Sequence, residues 1–163
     1  MKAFAQASAL ALSLIATAAS AQAVRVEKNM SLELANQIAA ATVAACAANN
    51  YNVSAAVVDR AGTLRALQRA DNAGPHTVGA AQGKAFTSAS ARANTSAMLE
   101  NVQKNPGAQT LVDIPGFLIL GGGVPVRVGN EVIGAVGVGG APGGHLDEQC
   151  AVAGIAKVAD LLK

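Results

Sequence analysis

The chain has 163 residues and a formal net charge of +2, and its only aromatic residues are three Phe and one Tyr. No basic run is interleaved with aromatic side chains, so nucleic acid is not expected as a partner. Ala, Val and Gly are abundant instead. Because a core of such small side chains buries little area per residue, we expect the protein to gain stability as a homo-oligomer.

The N-terminal segment has the pattern of a secretory signal peptide. A positively charged start is followed by an apolar stretch over 10–19 and by small residues at the spacing that signal peptidase requires. Cleavage after Ala21 or Ala23 fits best, which predicts a signal peptide over 1–23 and export to the periplasm or the medium. The apolar stretch is short for a membrane span, so an uncleaved anchor is the less favoured alternative. The remaining residues, 24–163, suffice for one domain.

Hydrophobic periodicity and turn residues divide the rest of the chain into helices and short strands. The predicted elements are a helix over 31–49, strands over 53–59 and 63–69, helices over 77–92 and 95–104, strands over 117–120, 124–128 and 131–138, and a closing helix over 146–163. Gly62 and the pair Gly129-Asn130 provide the two hairpin turns. This order predicts a single α+β domain in which a five-stranded antiparallel sheet is packed with helices.

The two histidines, His76 and His145, are candidate ligands for a metal or for haem iron. Each lies in a glycine-containing loop just before a predicted helix, where its imidazole would be accessible, and histidine is a common metal ligand and a frequent axial ligand of haem. Lys84 follows His76 by about two helical turns and could form a polar wall of the same pocket. The alternative stays open that the histidines face solvent at helix starts and that Lys84 lies on a solvated helix face.

Several other motifs do not carry a function. The segment 137–142 begins like a dinucleotide fingerprint, but proline replaces the third glycine, and Lys84 lacks the flanking residues of a phosphate loop. No Ser or Cys lies in a G-x-S-x-G elbow. Asp147 and Glu148 stand beside His145, where we expect them to complement a helix N-terminus rather than to complete a metal cage. These motifs therefore do not identify an enzyme.

Cys46 and Cys150 lie on the predicted first and last helices, which could pack side by side. In an oxidising compartment they could form a disulfide, and closing a loop of about 100 residues stabilises a fold by about 4–5 kcal/mol in the chain-entropy model. The alternative is that both are small buried hydrophobic residues.

A set of motifs, taken in order, resembles one known family. They are Val57–Leu64 (VVDRAGTL), Gly83–Ala89 (GKAFTSA), Gly121–Val126 (GGGVPV), Gly134–Gly140 (GAVGVGG) and Asp147–Ala151 (DEQCA). Together they resemble the HbpS/GlcG family, which includes the C-terminal domain of PduO proteins. The resemblance extends over about 30–163.

The resemblance implies a profilin-like fold, assembly into higher oligomers and, because several members bind haem or a related tetrapyrrole, haem as cofactor. Some exported members are linked to haem capture, iron release and redox sensing, whereas GlcG-like members accompany catabolic operons. Haem-binding residues differ between members, so no ligand is carried over. His76 and His145 as iron ligands, and Lys84 or Arg92 as the partner of a propionate, are inferred from their chemistry alone.

These observations favour an exported haem-binding protein that acts in haem or iron capture or in redox sensing. The alternative is a small-molecule enzyme, or an accessory protein of a catabolic pathway, with an acidic or carbonyl substrate in the same pocket. A third hypothesis is an assembly protein without a ligand.

Overall fold

A computed structural model describes residues 23–163, so the predicted signal peptide lies, apart from its last residue, outside the described residues. The helices are α1 (Leu32–Ala47), α2 (His76–Ala91), α3 (Thr95–Lys104) and α4 (Gly144–Lys157), and the strands are β1 (Ser54–Asp59), β2 (Leu64–Arg69), β3 (Gly123–Val128) and β4 (Glu131–Gly139). Short 3-10 helices, Pro106–Asp113 and Ala159–Leu161, follow α3 and α4. No helix in this part of the chain is both long and apolar enough to cross a bilayer.

Local signals in the sequence explain where these elements begin and turn. The Ser31 hydroxyl accepts a hydrogen bond from the Leu34 N–H and caps α1. Gly62, at φ +81°, turns the chain between β1 and β2, and Gly129, at φ +60°, turns it between β3 and β4. Each helix and strand starts within two residues of its predicted position, although α4 ends at Lys157, earlier than expected.

The sheet has four antiparallel strands in the order β2-β1-β4-β3, so the prediction of five strands is wrong. The apolar segment 117–120, expected to be a strand, is irregular. Its polar backbone groups bond to helices instead: the Leu118 N–H donates to Thr87 Oγ1 of α2, and the Leu120 carbonyl accepts from Thr95 Oγ1 of α3. The α+β class and the single domain are confirmed, and the profilin-like description stays a prediction.

Helices cover both faces of the sheet, and the two faces use side chains of different size. On one face, Val57, Val126 and Val136 pack with α1 and α4 in the larger core cluster. On the other, alanines of α2 pack against Ala56 and Ala135. A Cβ on Gly137 of β4 would lie 2.1 Å from the carbonyl oxygen of Ala81, so α2 rests directly on the strand backbone. This close approach sets the N-terminus of α2 beside the end of β4.

A disulfide between Cys46 and Cys150 joins α1 to α4 on the first of these faces, with a Cα–Cα distance of 5.3 Å. Both residues are buried, and 104 positions separate them in the sequence. The alternative of two separate buried thiols is therefore wrong.

We predict that reduction lowers the free energy of unfolding by about 2–5 kcal/mol, because the reduced unfolded chain is no longer constrained by a long loop. Urea unfolding with and without dithiothreitol measures this difference. A Cys46→Ala/Cys150→Ala variant should unfold like the reduced protein and show no response to the reductant. Equal midpoints for the wild-type protein with and without reductant would contradict the prediction.

Candidate functional site

A cavity of about 600 Å³ opens where β4 ends and α2 and α4 begin. The glycine-rich segment 139–144 and the first residues of both helices form much of its wall, and Ser96, Leu99 and Glu100 of α3 add a third side. Volumes of this order are typical of small-molecule sites. The cavity therefore lies where three helices meet one end of the sheet.

The two candidate ligands of the sequence, His76 and His145, line this one cavity. His76 is the first residue of α2 and His145 the second residue of α4, and both are exposed. They come together because α2 lies on β4 and because the segment 139–144 leads from the end of β4 to the start of α4. Among residues 23–163, neither imidazole has a side-chain hydrogen bond or an ion pair, so both are available to a ligand.

Lys84 also lines the cavity, but its ammonium is already bonded. Its Nζ lies 2.7 Å from Asp147 Oδ2 and donates to the carbonyl oxygen of Val138 at 2.8 Å. The lysine and aspartate side chains are only 5% and 4% exposed. The alternative that Lys84 lies on a solvated helix face is therefore wrong. The ion pair joins the middle of α2, the end of β4 and the first turn of α4.

Burial raises the pKa of the Asp147 carboxyl above its ordinary value. The hydrogen bond from Lys84, the hydrogen bond from the Ala141 N–H at 2.9 Å and the positive charge of Lys84 each lower the pKa, and together they offset only part of the effect of burial. Ionised Asp147 is thus tolerated only because Lys84 and the backbone hold it. The pair fixes the orientation of α4 rather than supplying a free charge.

Arg92, the other residue expected to meet a propionate, lies elsewhere. It follows the C-terminal end of α2, about 24 Å along the helix from His76 at 1.5 Å per residue, and it does not line the cavity. The expectation that Arg92 contributes to the same site is therefore wrong, because a 16-residue helix separates it from the histidines.

Sequence reasoning missed the partner of Lys84. Asp147 was expected to complement the α4 dipole, which its position in the first turn allows, but its main contact is with a residue 63 positions earlier. The alanines around Lys84 in the sequence could have indicated an acidic partner, since a lysine on an apolar helix face needs one when it is buried. Ser96, Leu99 and Glu100 gave no signal, because helical periodicity does not show which cavity a helix borders.

Within residues 23–163, no group of three or more His, Cys, Asp or Glu side chains is arranged to hold a metal ion. The assignment of His76 and His145 as metal ligands stays a prediction.

Comparison with known proteins identifies the family. Residues 30–156 match the family model described as "Haem degrading protein HbpS-like". The chain belongs to the HbpS-like family. The resemblance found in the motifs is thereby confirmed, and the matched range contains all four strands and the cavity of this HbpS-like chain.

Individual relatives agree with this assignment. Protein GlcG of Escherichia coli strain K12 is 41% identical over 109 residues, which cover 67% of this chain and 80% of that protein. The crystal structure of a double mutant of Streptomyces reticuli HbpS is 38% identical, with a TM-score of 0.79 over 96% of this chain and 99% of that chain. The crystal structure of a PduOC:heme complex has a TM-score of 0.70 at 23% identity, over 78% of this chain and 94% of that chain, and is similar in fold.

We predict that Lys84→Met lowers the free energy of unfolding by about 3–5 kcal/mol, because it leaves the Asp147 carboxylate buried without its partner. Replacing both partners, as Lys84→Met/Asp147→Leu, should recover most of this loss, since no buried charge remains. Urea unfolding of the three proteins measures both effects.

The matched control is Lys104→Met. Lys104 pairs with Glu100 at 3.1 Å, but both side chains are exposed, so its loss should cost at most about 0.5 kcal/mol. A single Lys84→Met variant as stable as this control would contradict the assignment of Lys84 as a structural partner.

Proposed function

We propose that this HbpS-like protein binds haem in the cavity between α2 and α4, with His76 or His145 bonded to the iron. The single observation that carries the proposal is the convergence of both histidines, 69 positions apart in the sequence, on one cavity. Imidazole is a frequent axial ligand of haem iron, and an accessible imidazole is what a tetrapyrrole that enters from solvent requires.

The remaining walls of the cavity fit a flat apolar ring. Leu99, Leu120 and Pro142 offer hydrocarbon surface, and the glycines of segment 139–144 let a ligand approach the backbone closely. The volume of about 600 Å³ would accommodate a large part of a tetrapyrrole ring. Because Asp147 already neutralises Lys84, we infer that Lys84 supports the site structurally and would not pair with a propionate.

The family supports the same proposal. Its description names haem degradation, and the PduOC:heme complex is a case in which a protein of this fold holds haem. We propose that haem binding by this protein serves the capture of haem or iron, or redox sensing. No specific observation favours an enzyme that acts on an acidic substrate, since Lys84, the lysine of the cavity wall, is already paired.

We further propose that the protein is exported and forms a homo-oligomer. A disulfide is typical of oxidising compartments such as the periplasm, which supports cleavage of residues 1–23 as a signal peptide. Exposed apolar side chains, among them Val112, Val152 and Leu161, are available for contacts between subunits. Light scattering on the purified protein measures the number of subunits.

Titration of the protein with hemin should produce a saturable shift of the Soret band. One of the variants His76→Ala and His145→Ala should abolish or weaken the shift, because it lacks the histidine that bonds to the iron. The variant that is affected identifies this histidine. Gln37→Ala, a change on the exposed side of α1, is the control and should bind like wild type. Absence of a saturable shift in the wild-type protein would overturn the proposal.

Expression of the full chain in a bacterium should yield a periplasmic protein whose intact mass corresponds to a start at Gln22 or Val24. Ala21→Arg should block processing at both positions, because Ala21 stands at −1 of one cleavage site and at −3 of the other. Cell fractionation and mass spectrometry measure location and start. An unprocessed wild-type protein in the cytoplasm would contradict export.

A further inference from the structure

We propose that Gly74 and Gly143 are positioning residues for the two imidazoles of the cavity, each because it leaves free the space that a side chain would occupy. The inference rests on the proposed haem site and adds to it two residues that hold the iron ligands in place. It comes from a local arrangement that occurs twice in the chain, as Gly74-Pro75-His76 and Gly143-Gly144-His145.

In both places the imidazole folds back over the glycine two residues earlier. A Cβ on Gly74 would lie 2.8 Å from Cε1 and 2.9 Å from Nδ1 of His76, and a Cβ on Gly143 would lie 2.8 Å and 3.0 Å from the same atoms of His145. Contacts this short would force the ring to move. The two imidazoles thus have the same orientation relative to the glycine two residues earlier, each at the start of a different helix.

These two positions require glycine because the imidazole needs the space, and not because the backbone has an unusual conformation. Neither glycine has a positive φ, and Gly143, at φ −157° and ψ 150°, is in the extended region that any residue adopts. Gly140 differs, because it has φ +130° and a Cβ there would lie 2.6 Å from the carbonyl oxygen of Asn52. An alanine at position 74 or 143 can therefore keep the backbone and displace only the imidazole.

The two nitrogens of each ring differ in their distance from the glycine. Nδ1 and Cε1 face the glycine, whereas Nε2 lies 3.9 Å from the Cβ position of Gly74 and 4.0 Å from that of Gly143. Nε2 is therefore the ring nitrogen that lies away from the glycine, and it is the one that would bond to iron in this orientation. Because a metal–ligand bond depends on the direction of the ring, a displaced imidazole presents Nε2 at the wrong angle.

The test is hemin titration of Gly74→Ala and Gly143→Ala, with Gly79→Ala as the matched control. Gly79 lies within α2, close to His76 but outside the cavity wall, and a Cβ there meets no atom within 4 Å. Each of the two test variants should reproduce the effect of removing its own histidine, with binding weaker by about 10- to 100-fold where that histidine bonds to iron. Gly79→Ala should bind like wild type, and all three should melt at or above the wild-type temperature.

Double variants separate positioning from a general structural effect. Gly74→Ala/His76→Ala should bind hemin no more weakly than His76→Ala, and the corresponding pair at 143 and 145 should behave in the same way, because the glycine acts through its histidine. A further loss in the double variant overturns the proposal. So does wild-type affinity of a glycine variant whose histidine variant binds weakly.

A measurement without haem keeps this inference distinct from the proposed function. In carbon–proton NMR spectra of the ligand-free protein, Gly74→Ala should shift the imidazole resonances of His76, and Gly143→Ala those of His145, while Gly79→Ala leaves both unchanged. Unshifted resonances overturn the inference even if hemin binds. A wild-type protein that does not bind hemin refutes the haem site, whereas shifted resonances still support the positioning role.

Discussion

The buried ion pair between Lys84 and Asp147 is the contact on which the arrangement of the cavity depends. It joins α2, β4 and α4 at one point, and each of these elements contributes a wall of the cavity. An unpaired charge at this depth would be costly, so the helices can move apart only if both charges reach water. The two histidines stand at the starts of the joined helices. Their relative position is therefore fixed by a contact that neither of them makes.

Small residues allow the backbone to pass close to the Lys84–Asp147 ion pair. Gly122, at φ +121°, passes so close to the pair that a Cβ there would lie 2.8 Å from Asp147 Cβ and 3.0 Å from Lys84 Nζ. Gly123 is similar, since a Cβ on it would meet the Lys84 carbonyl oxygen at 2.4 Å. The abundance of Gly and Ala in the sequence thus serves close contact between backbones at the site. Larger residues would bury more apolar area but would hold α2 away from the sheet.

The local part of the fold could be predicted from the sequence, and the part set by distant contacts could not. Hairpin turns at Gly62 and Gly129 and the helical periodicity predict the four α-helices and the four strands, but not the two 3-10 helices. The apolar run 117–120 predicts a strand, but a short apolar run does not show where its backbone hydrogen bonds go, and in the structure they go to Thr87 and Thr95. At the site, the histidines could be predicted only from the capacity of imidazole to bind metals and haem iron. The partner of Lys84 lies on another helix, which no spacing rule indicates.

The disulfide has a consequence for the order in which the chain can fold. Cys46 has no partner until Cys150, 104 residues later, has been synthesised. The face of the sheet that α1 covers also needs α4, so an emerging chain cannot complete this layer in stages. Contacts of such long range slow folding and leave apolar surface exposed during synthesis. The domain therefore cannot complete its fold until the C-terminal helix is available.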